Sequence, residues 1–111
     1  MGRIIKQLKP AAAVQEDLYV VPAGLLFSSA RSIWVVNQSG SNSTFRVTVA
    51  PLGVPDAPEQ DLFTDNQICP NETLRFSLDE TFQTGDTIRV SSNSGNVSFN
   101  YFGLETASSS T

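Results

Sequence analysis

The chain has 111 residues, of which 40% are hydrophobic and 16% are charged, and its net charge is −4. This length fits one domain with a single core. The absence of histidine excludes a Ser–His–Asp or Cys–His catalytic arrangement, and one cysteine is too few for an internal disulfide or a zinc site of Cys and His. An acidic chain also lacks the basic face expected of a nucleic-acid-binding protein.

The N-terminal segment has the opposite charge to the rest of the chain. Arg3, Lys6 and Lys9 lie in the first nine residues, which contain no acid, whereas the remainder holds four basic and eleven acidic residues. We therefore predict a basic arm and link at residues 1–17 that seeks an acidic partner. The alternative is a solvated, frayed terminus.

The remaining chain divides into a predicted β-sandwich body at residues 18–105 and a polar tail at residues 106–111. The first residues lack an apolar run of the signal-peptide type, and no segment has the 18 apolar residues of a membrane span. We therefore expect the chain to be made in the cytoplasm. Cys69, next to Pro70, is predicted to be a buried apolar side chain.

Within the body, turn residues recur at intervals of about 8–12 residues, as in all-β domains. Between these turns apolar and polar residues alternate, and no segment keeps a helical apolar spacing over three turns. The pattern predicts an all-β fold, a two-sheet β-sandwich of jelly-roll or immunoglobulin-like topology. The number of strands does not decide between these two topologies.

The register of a first predicted hairpin is set by its apolar face. Closing the chain over the loop at 39–42 turns Trp34 and Val36 toward the core. Ile33 and Val35 are then expected to point outward.

A second hairpin is predicted to pair Val90 with Phe99 and Ile88 with Tyr101, which again gives one apolar face. Phe102 then lies on the opposite, outer face. An apolar side chain on an outer sheet face usually marks a contact with another chain, so we predict that Phe102 lies at an interface.

The candidate catalytic and metal-binding groups are carboxylates. The pairs Asp61 with Asp65 and Asp79 with Glu80 are the candidates for glycoside hydrolysis or calcium binding. Neither pair has the spacing of a known motif, and no phosphate-binding glycine motif occurs. We predict that the chain is not an enzyme and uses no cofactor or metal.

Four segments resemble a known family. "LYVVPAG" (18–24), "SIWVVNQSGSNSTFRVTVAP" (32–51), "LRFSLDETFQTGDTIRV" (74–90) and "NVSFNYFGLE" (96–105) resemble small structural proteins of tailed bacteriophages, including those of cyanobacteria. The resemblance covers about residues 17–105. The basic segment "MGRIIKQLKP" is not part of it.

The resemblance implies a virion component, most similar to capsid decoration or cement proteins that bind the outer shell between major capsid subunits and stabilise it. A homotrimer is expected, because capsid lattices offer three-fold sites. The implied partners are the major capsid protein and further copies of the chain, with no nucleic acid and no membrane. The alternative is a tail- or fibre-associated module that binds host-surface carbohydrate. The residues predicted to bind the partner are Arg3, Ile4, Ile5, Lys6, Leu8, Lys9 and Phe102.

Overall fold

The computed structural model describes residues 2–55 and 60–107. Its regular structure is eight β-strands and one short 3₁₀ turn at Pro51–Gly53. The strands are β1 (Gly2–Leu8), β2 (Glu16–Val20), β3 (Leu25–Asn37), β4 (Ser43–Ala50), β5 (Asp61–Ile68), β6 (Thr73–Phe82), β7 (Thr87–Ser92) and β8 (Val97–Ala107). None of the described residues forms a helix long and apolar enough to cross a membrane.

The strands form two four-stranded antiparallel sheets. Sheet A has the order β1-β8-β3-β6 and sheet B has the order β2-β7-β4-β5. In sheet A, β1 is beside β8 and β3 is beside β6; in sheet B, their sequence neighbours pair in the same way, with β2 beside β7 and β4 beside β5. This strand order is that of a jelly roll. The predicted β-sandwich is confirmed, and the strand order is that of the jelly-roll alternative rather than the immunoglobulin-like one.

The core lies between the two sheets and is built by alternation along each strand. Tyr101, Phe99 and Phe45 are its largest side chains, and each is at most 1% exposed. The prediction that Phe99 and Tyr101 face inward is confirmed. The fully buried aliphatic side chains around them are Val21, Ile33, Val35, Val47, Ile68, Ile88, Val90 and Val97.

Both predicted hairpins are wrong. β3 pairs with β6 and β8 in sheet A, whereas β4 pairs with β5 and β7 in sheet B. In the same way β7 lies in sheet B and β8 lies in sheet A. The chain reverses direction at the expected loops but crosses to the other sheet, so the two strands of each expected hairpin lie in different sheets.

The predicted faces of β3 are also wrong. Ile33 and Val35 are fully buried, whereas Trp34 and Val36 are half-buried on the outer side. The cause is the pairing of β3 with β8, which places Ile33 opposite Tyr101 and Val35 opposite Phe99, and both of these rings point inward. The prediction for Phe102 is confirmed as far as its face is concerned, because its neighbours in β8 point inward and it points outward.

Residues of the predicted arm belong to a sheet. β1 is hydrogen-bonded along β8, with Ile4 opposite Gly103 and Leu8 opposite Phe99. The division of the chain into arm, body and tail stays a prediction. The prediction of a buried Cys69 is wrong, because this thiol is exposed in the turn after β5.

Candidate binding surface

The outer face of sheet A carries a row of large side chains, one from each strand. Ile5 of β1 lies directly opposite Phe102 of β8, and Trp34 of β3 lies directly opposite Arg75 of β6. These four residues, here called the outer stripe, cross the whole sheet. They face outward because their sequence neighbours fill the core.

The members of the outer stripe contact one another. The rings of Trp34 and Phe102 have centroids 5.7 Å apart and are tilted by 59°. The Arg75 guanidinium lies over the Trp34 ring at 5.1 Å, which is a cation–π geometry. Ile5 remains 44% exposed at the edge of the sheet. The stripe is therefore an ordered apolar surface in contact with solvent, and it has a positive charge at its β6 end.

The outer face of sheet B has a different chemistry. Arg46 bonds Asp65 at 2.9 Å, and its Nε lies 4.0 Å from Asp61. Arg89 pairs with Asp17 at 3.3 Å. Charged groups on this face are thus largely satisfied within the chain.

The edges of sheet A carry unpaired charges. Arg3, Lys6 and Lys9 are exposed on or just after β1, and Asp79 and Glu80 are exposed on β6. In the described part of the chain none of these five residues takes part in an ion pair. Their charges are therefore available to another molecule.

The structure divides the set of residues predicted to bind a partner. Ile4 and Leu8 are half-buried and pack against the core of the chain itself. Arg3, Lys6 and Lys9 are exposed, as is Ile5, and Phe102 lies on the outer face beside it. That these residues bind a partner stays a prediction.

Two members of the outer stripe, Trp34 and Arg75, were missed by sequence reasoning. The run Ile33 to Val36 is apolar at all four positions, so alternation does not show which side faces the core. The pairing of Val35 with Leu74 determines which side chains of β3 face the core. The sequence contains no local signal for this pairing between distant segments.

A buried polar cluster lies between the sheets near the end of β8. The Tyr19 hydroxyl donates to Glu105 Oε2 at 2.6 Å and lies 3.0 Å from Ser28 Oγ. The ring of Tyr19 stacks on that of Tyr101 with centroids 5.1 Å apart. The Tyr101 hydroxyl is buried beside Ser28, but Ser28 Oγ already bonds the Tyr19 hydroxyl and the Leu104 carbonyl oxygen, and no described residue has hydrogen-bond geometry to the Tyr101 hydroxyl.

Burial keeps both phenols of this cluster in the neutral form. Loss of hydration raises the pKa of Tyr101 to about 12. The same loss of hydration, together with the Glu105 carboxylate, raises the pKa of Tyr19 above its ordinary value. At neutral pH neither phenol is a nucleophile or a base, so the cluster acts in packing.

The carboxylate pairs considered for chemistry are not assembled into sites. Asp61 accepts a hydrogen bond from Thr48 at 2.7 Å, and Asp65 is paired with Arg46. Asp79 and Glu80 are successive strand residues and point to opposite faces of sheet A. Within residues 2–55 and 60–107, no three His, Cys, Asp or Glu side chains are grouped so that they could hold a metal ion.

Comparisons of the chain with models of protein families, with curated proteins and with solved structures found no match. The resemblance to phage structural proteins therefore stays a prediction. The class of protein that the structure itself defines is a jelly-roll β-sandwich with a row of large side chains on the outer face of one sheet.

Proposed function

We propose that this chain is a structural protein of a phage virion, a capsid decoration protein that binds the outer shell between major capsid subunits. The observation that supports the proposal best is the outer stripe on sheet A. Apolar patches on an outer sheet face generally mark a contact with another protein. Aromatic and arginine side chains, both present in the stripe, are the types most often found at the energetic centre of interfaces.

The proposed mechanism is adhesion by a rigid body. The two sheets hold Trp34 and Phe102 in fixed positions, so little conformational freedom is lost when they are covered. Arg75 and Arg3, which lies on the outer side of β1 because its neighbour Ile4 packs against the core, flank the apolar centre and meet carboxylates on the shell. Each bound copy spans neighbouring capsid subunits and opposes their separation under the pressure of packed DNA.

The outer face of sheet B, with its arginine–aspartate pairs, is suited to the side of the bound protein that points away from the shell. Its arginines are already paired with aspartates of the same chain, which disfavours a second partner. In the proposed orientation sheet B faces the medium.

The proposal is tested with two variants that change equally exposed aliphatic residues on edge strands of the two sheets. Ile5 in β1 is 44% exposed and Val20 in β2 is 46% exposed. Ile5→Ser, combined with Phe102→Ser in the stripe, is expected to weaken binding to empty expanded capsids by about tenfold or more. Val20→Ser is the matched control and is expected to bind like the unchanged protein.

Binding is measured by co-sedimentation with the capsids over a range of protein concentrations. Full occupancy by the Ile5→Ser, Phe102→Ser protein, with its fold intact by circular dichroism, would contradict the proposal. Absence of capsid binding together with binding to host-surface glycans would favour the alternative of a tail or fibre module.

A further inference from the structure

The two outer strands of sheet A have opposite charge. β1, with Arg3 and Lys6 in it and Lys9 just after it, forms one edge of the sheet, and β6, in which the acids Asp79 and Glu80 outnumber the one cation Arg75, forms the other. An edge strand presents unpaired backbone N–H and C=O groups and is a template for pairing with another chain. Sheet A therefore has two open edges with complementary side chains.

The directions of the strands allow the two edges to meet. Each neighbouring pair in the order β1-β8-β3-β6 is antiparallel, so β1 and β6 run in opposite directions. A second copy placed beside the first in the same orientation brings its β1 antiparallel to the first copy's β6. We propose that β1 of one copy pairs with β6 of the next, so that copies join head to tail through a continuous sheet.

One register matches the inward-facing side chains of both strands by their chemistry. In this register one ion pair is flanked on each side by an apolar pair. Each inward residue of one strand lies opposite an inward residue of the other, as strand pleating requires. The three pairs are Lys6–Glu80, Ile4–Phe82 and Leu8–Leu78. A shift by one residue would place inward residues opposite outward ones and lose all three matches.

An apolar groove of about 230 Å³ lies along the inward side of β6, between the two sheets. Its one charged lining residue is Glu80, and Leu62 at its rim is 49% exposed. The other lining residues are Val47, Val49, Leu78, Phe82 and Ile88. A strand added beside β6 covers this groove with Ile4 and Leu8 and brings Lys6 to Glu80.

Other pairings between copies are disfavoured by charge. A two-fold contact of β1 with β1 sets cations against cations, which is unfavourable in cross-strand positions. A two-fold contact of β6 with β6 leaves Glu80 without a cation on the inward side, because Arg75 points to the outer side. Both edges of sheet B are acidic, with Asp17 in β2 and Asp61 in β5, and these two acids already have partners within the chain. The head-to-tail contact in sheet A joins Lys6 to Glu80, and neither of these has an ion-pair partner among the described residues.

This inference goes beyond the proposed function and is tested on the purified chain without capsids. Lys6→Glu places an acid opposite Glu80, and Glu80→Lys places a cation opposite Lys6. Each variant alone is expected to associate about tenfold or more weakly than the unchanged protein in sedimentation velocity. An equal mixture of the two variants restores complementary edges and is expected to restore the oligomers.

Arg31→Glu is the matched control, since it makes the same change in charge at an exposed residue of the central strand β3. It is expected to leave association unchanged. Circular dichroism of each variant separates loss of association from loss of fold. A protein that stays monomeric at every concentration, or oligomers that neither edge variant weakens, would overturn the proposal.

The register is tested by disulfide trapping in a Cys69→Ser background, which removes the exposed native thiol. A mixture of Lys6→Cys and Glu80→Cys proteins is expected to form covalent dimers on oxidation, because directly opposite residues have Cβ atoms about 4.5–5.5 Å apart. A mixture of Lys6→Cys and Asp79→Cys proteins is expected to cross-link far less, because the second thiol faces the other side of the sheet. Equal cross-linking of the two mixtures would refute this register.

Discussion

The stacked tyrosines in the core allow one chemical change to be made twice with opposite expected results. Tyr101→Phe and Tyr19→Phe each remove one hydroxyl group from rings that are 5.1 Å apart. The Tyr101 side chain is fully buried and its hydroxyl has no hydrogen-bond partner among the described residues. The Tyr19 hydroxyl donates to the Glu105 carboxylate at 2.6 Å.

The magnitudes follow from the partners of the two hydroxyls. An unsatisfied buried polar group costs about 1–3 kcal/mol, so its removal from Tyr101, less the cost of a small void, is expected to raise the free energy of unfolding by about 1 kcal/mol. A hydrogen bond to a charged group contributes about 1.5–3 kcal/mol, so Tyr19→Phe is expected to lower the free energy of unfolding by that amount.

The assay is equilibrium unfolding in urea at pH 7, followed by circular dichroism. With a denaturant dependence of about 2 kcal/mol per molar urea, the midpoints of the two variants are expected to differ by roughly 1–2 M. The unchanged protein lies between them. A Tyr101→Phe protein destabilised as much as Tyr19→Phe would refute the reasoning, because it would show that the Tyr101 hydroxyl makes a stabilising bond.

Two further predictions concern buried polar groups. Because the pKa of Tyr101 is about 12 in the folded chain and about 10 when unfolded, the folded state holds more protons above pH 10. The titration of Tyr101 is therefore expected to lower the free energy of unfolding by about 2 kcal/mol between pH 10 and pH 12, in addition to a fall from Tyr19, whose pKa is also raised. Tyr101→Phe is expected to remove the Tyr101 contribution in urea titrations at each pH. Asn37, fully buried, donates from Nδ2 to the carbonyl oxygens of Ser41, Ile68 and Cys69. Asn37→Asp sets a carboxylate against those oxygens and is expected to lower the free energy of unfolding at pH 7 by about 3 kcal/mol or more, while an unchanged urea midpoint would contradict this contact set.

The all-β class could be predicted from the sequence because strands and turns are signalled locally, by the alternation of apolar and polar residues and by the spacing of turn residues. Along β7 and β8 the residues predicted to face inward, among them Val90 and Phe99, are buried. The outward position of Phe102 follows from the same alternation. These features depend only on neighbouring residues in one strand.

The assignment of strands to sheets could not be predicted, because a turn reverses the chain whether the next strand joins the same sheet or the opposite one. The loop after β3 is an example. Asn37 at its start binds carbonyl oxygens at the end of β5, and so ties the crossing between the sheets to a distant segment. Neither the loop composition nor the alternation on either side of it signals this long-range bond.

The candidate binding surface was predicted in part for the same reason. Ile5 was predicted from its place among the basic residues of the first nine positions and Phe102 from alternation, whereas Trp34 was assigned to the core by the register of the first predicted hairpin. Arg75 belongs to the outer stripe because it lies opposite Trp34, and this pairing is known only from the structure. A surface that four separate strands build together is a property of the sheet order, which single-sequence patterns do not determine.

The central claim is that the chain adheres to a capsid through the outer face of sheet A. The most direct test is an image reconstruction of capsids saturated with the purified protein, at a resolution that separates the two sheets. We expect density for the chain between major capsid subunits, with Trp34 and Phe102 turned toward the shell and the arginine–aspartate pairs of sheet B toward the medium. Bound copies that turn sheet B to the shell, or saturated mixtures whose capsids carry no added density, would contradict the account.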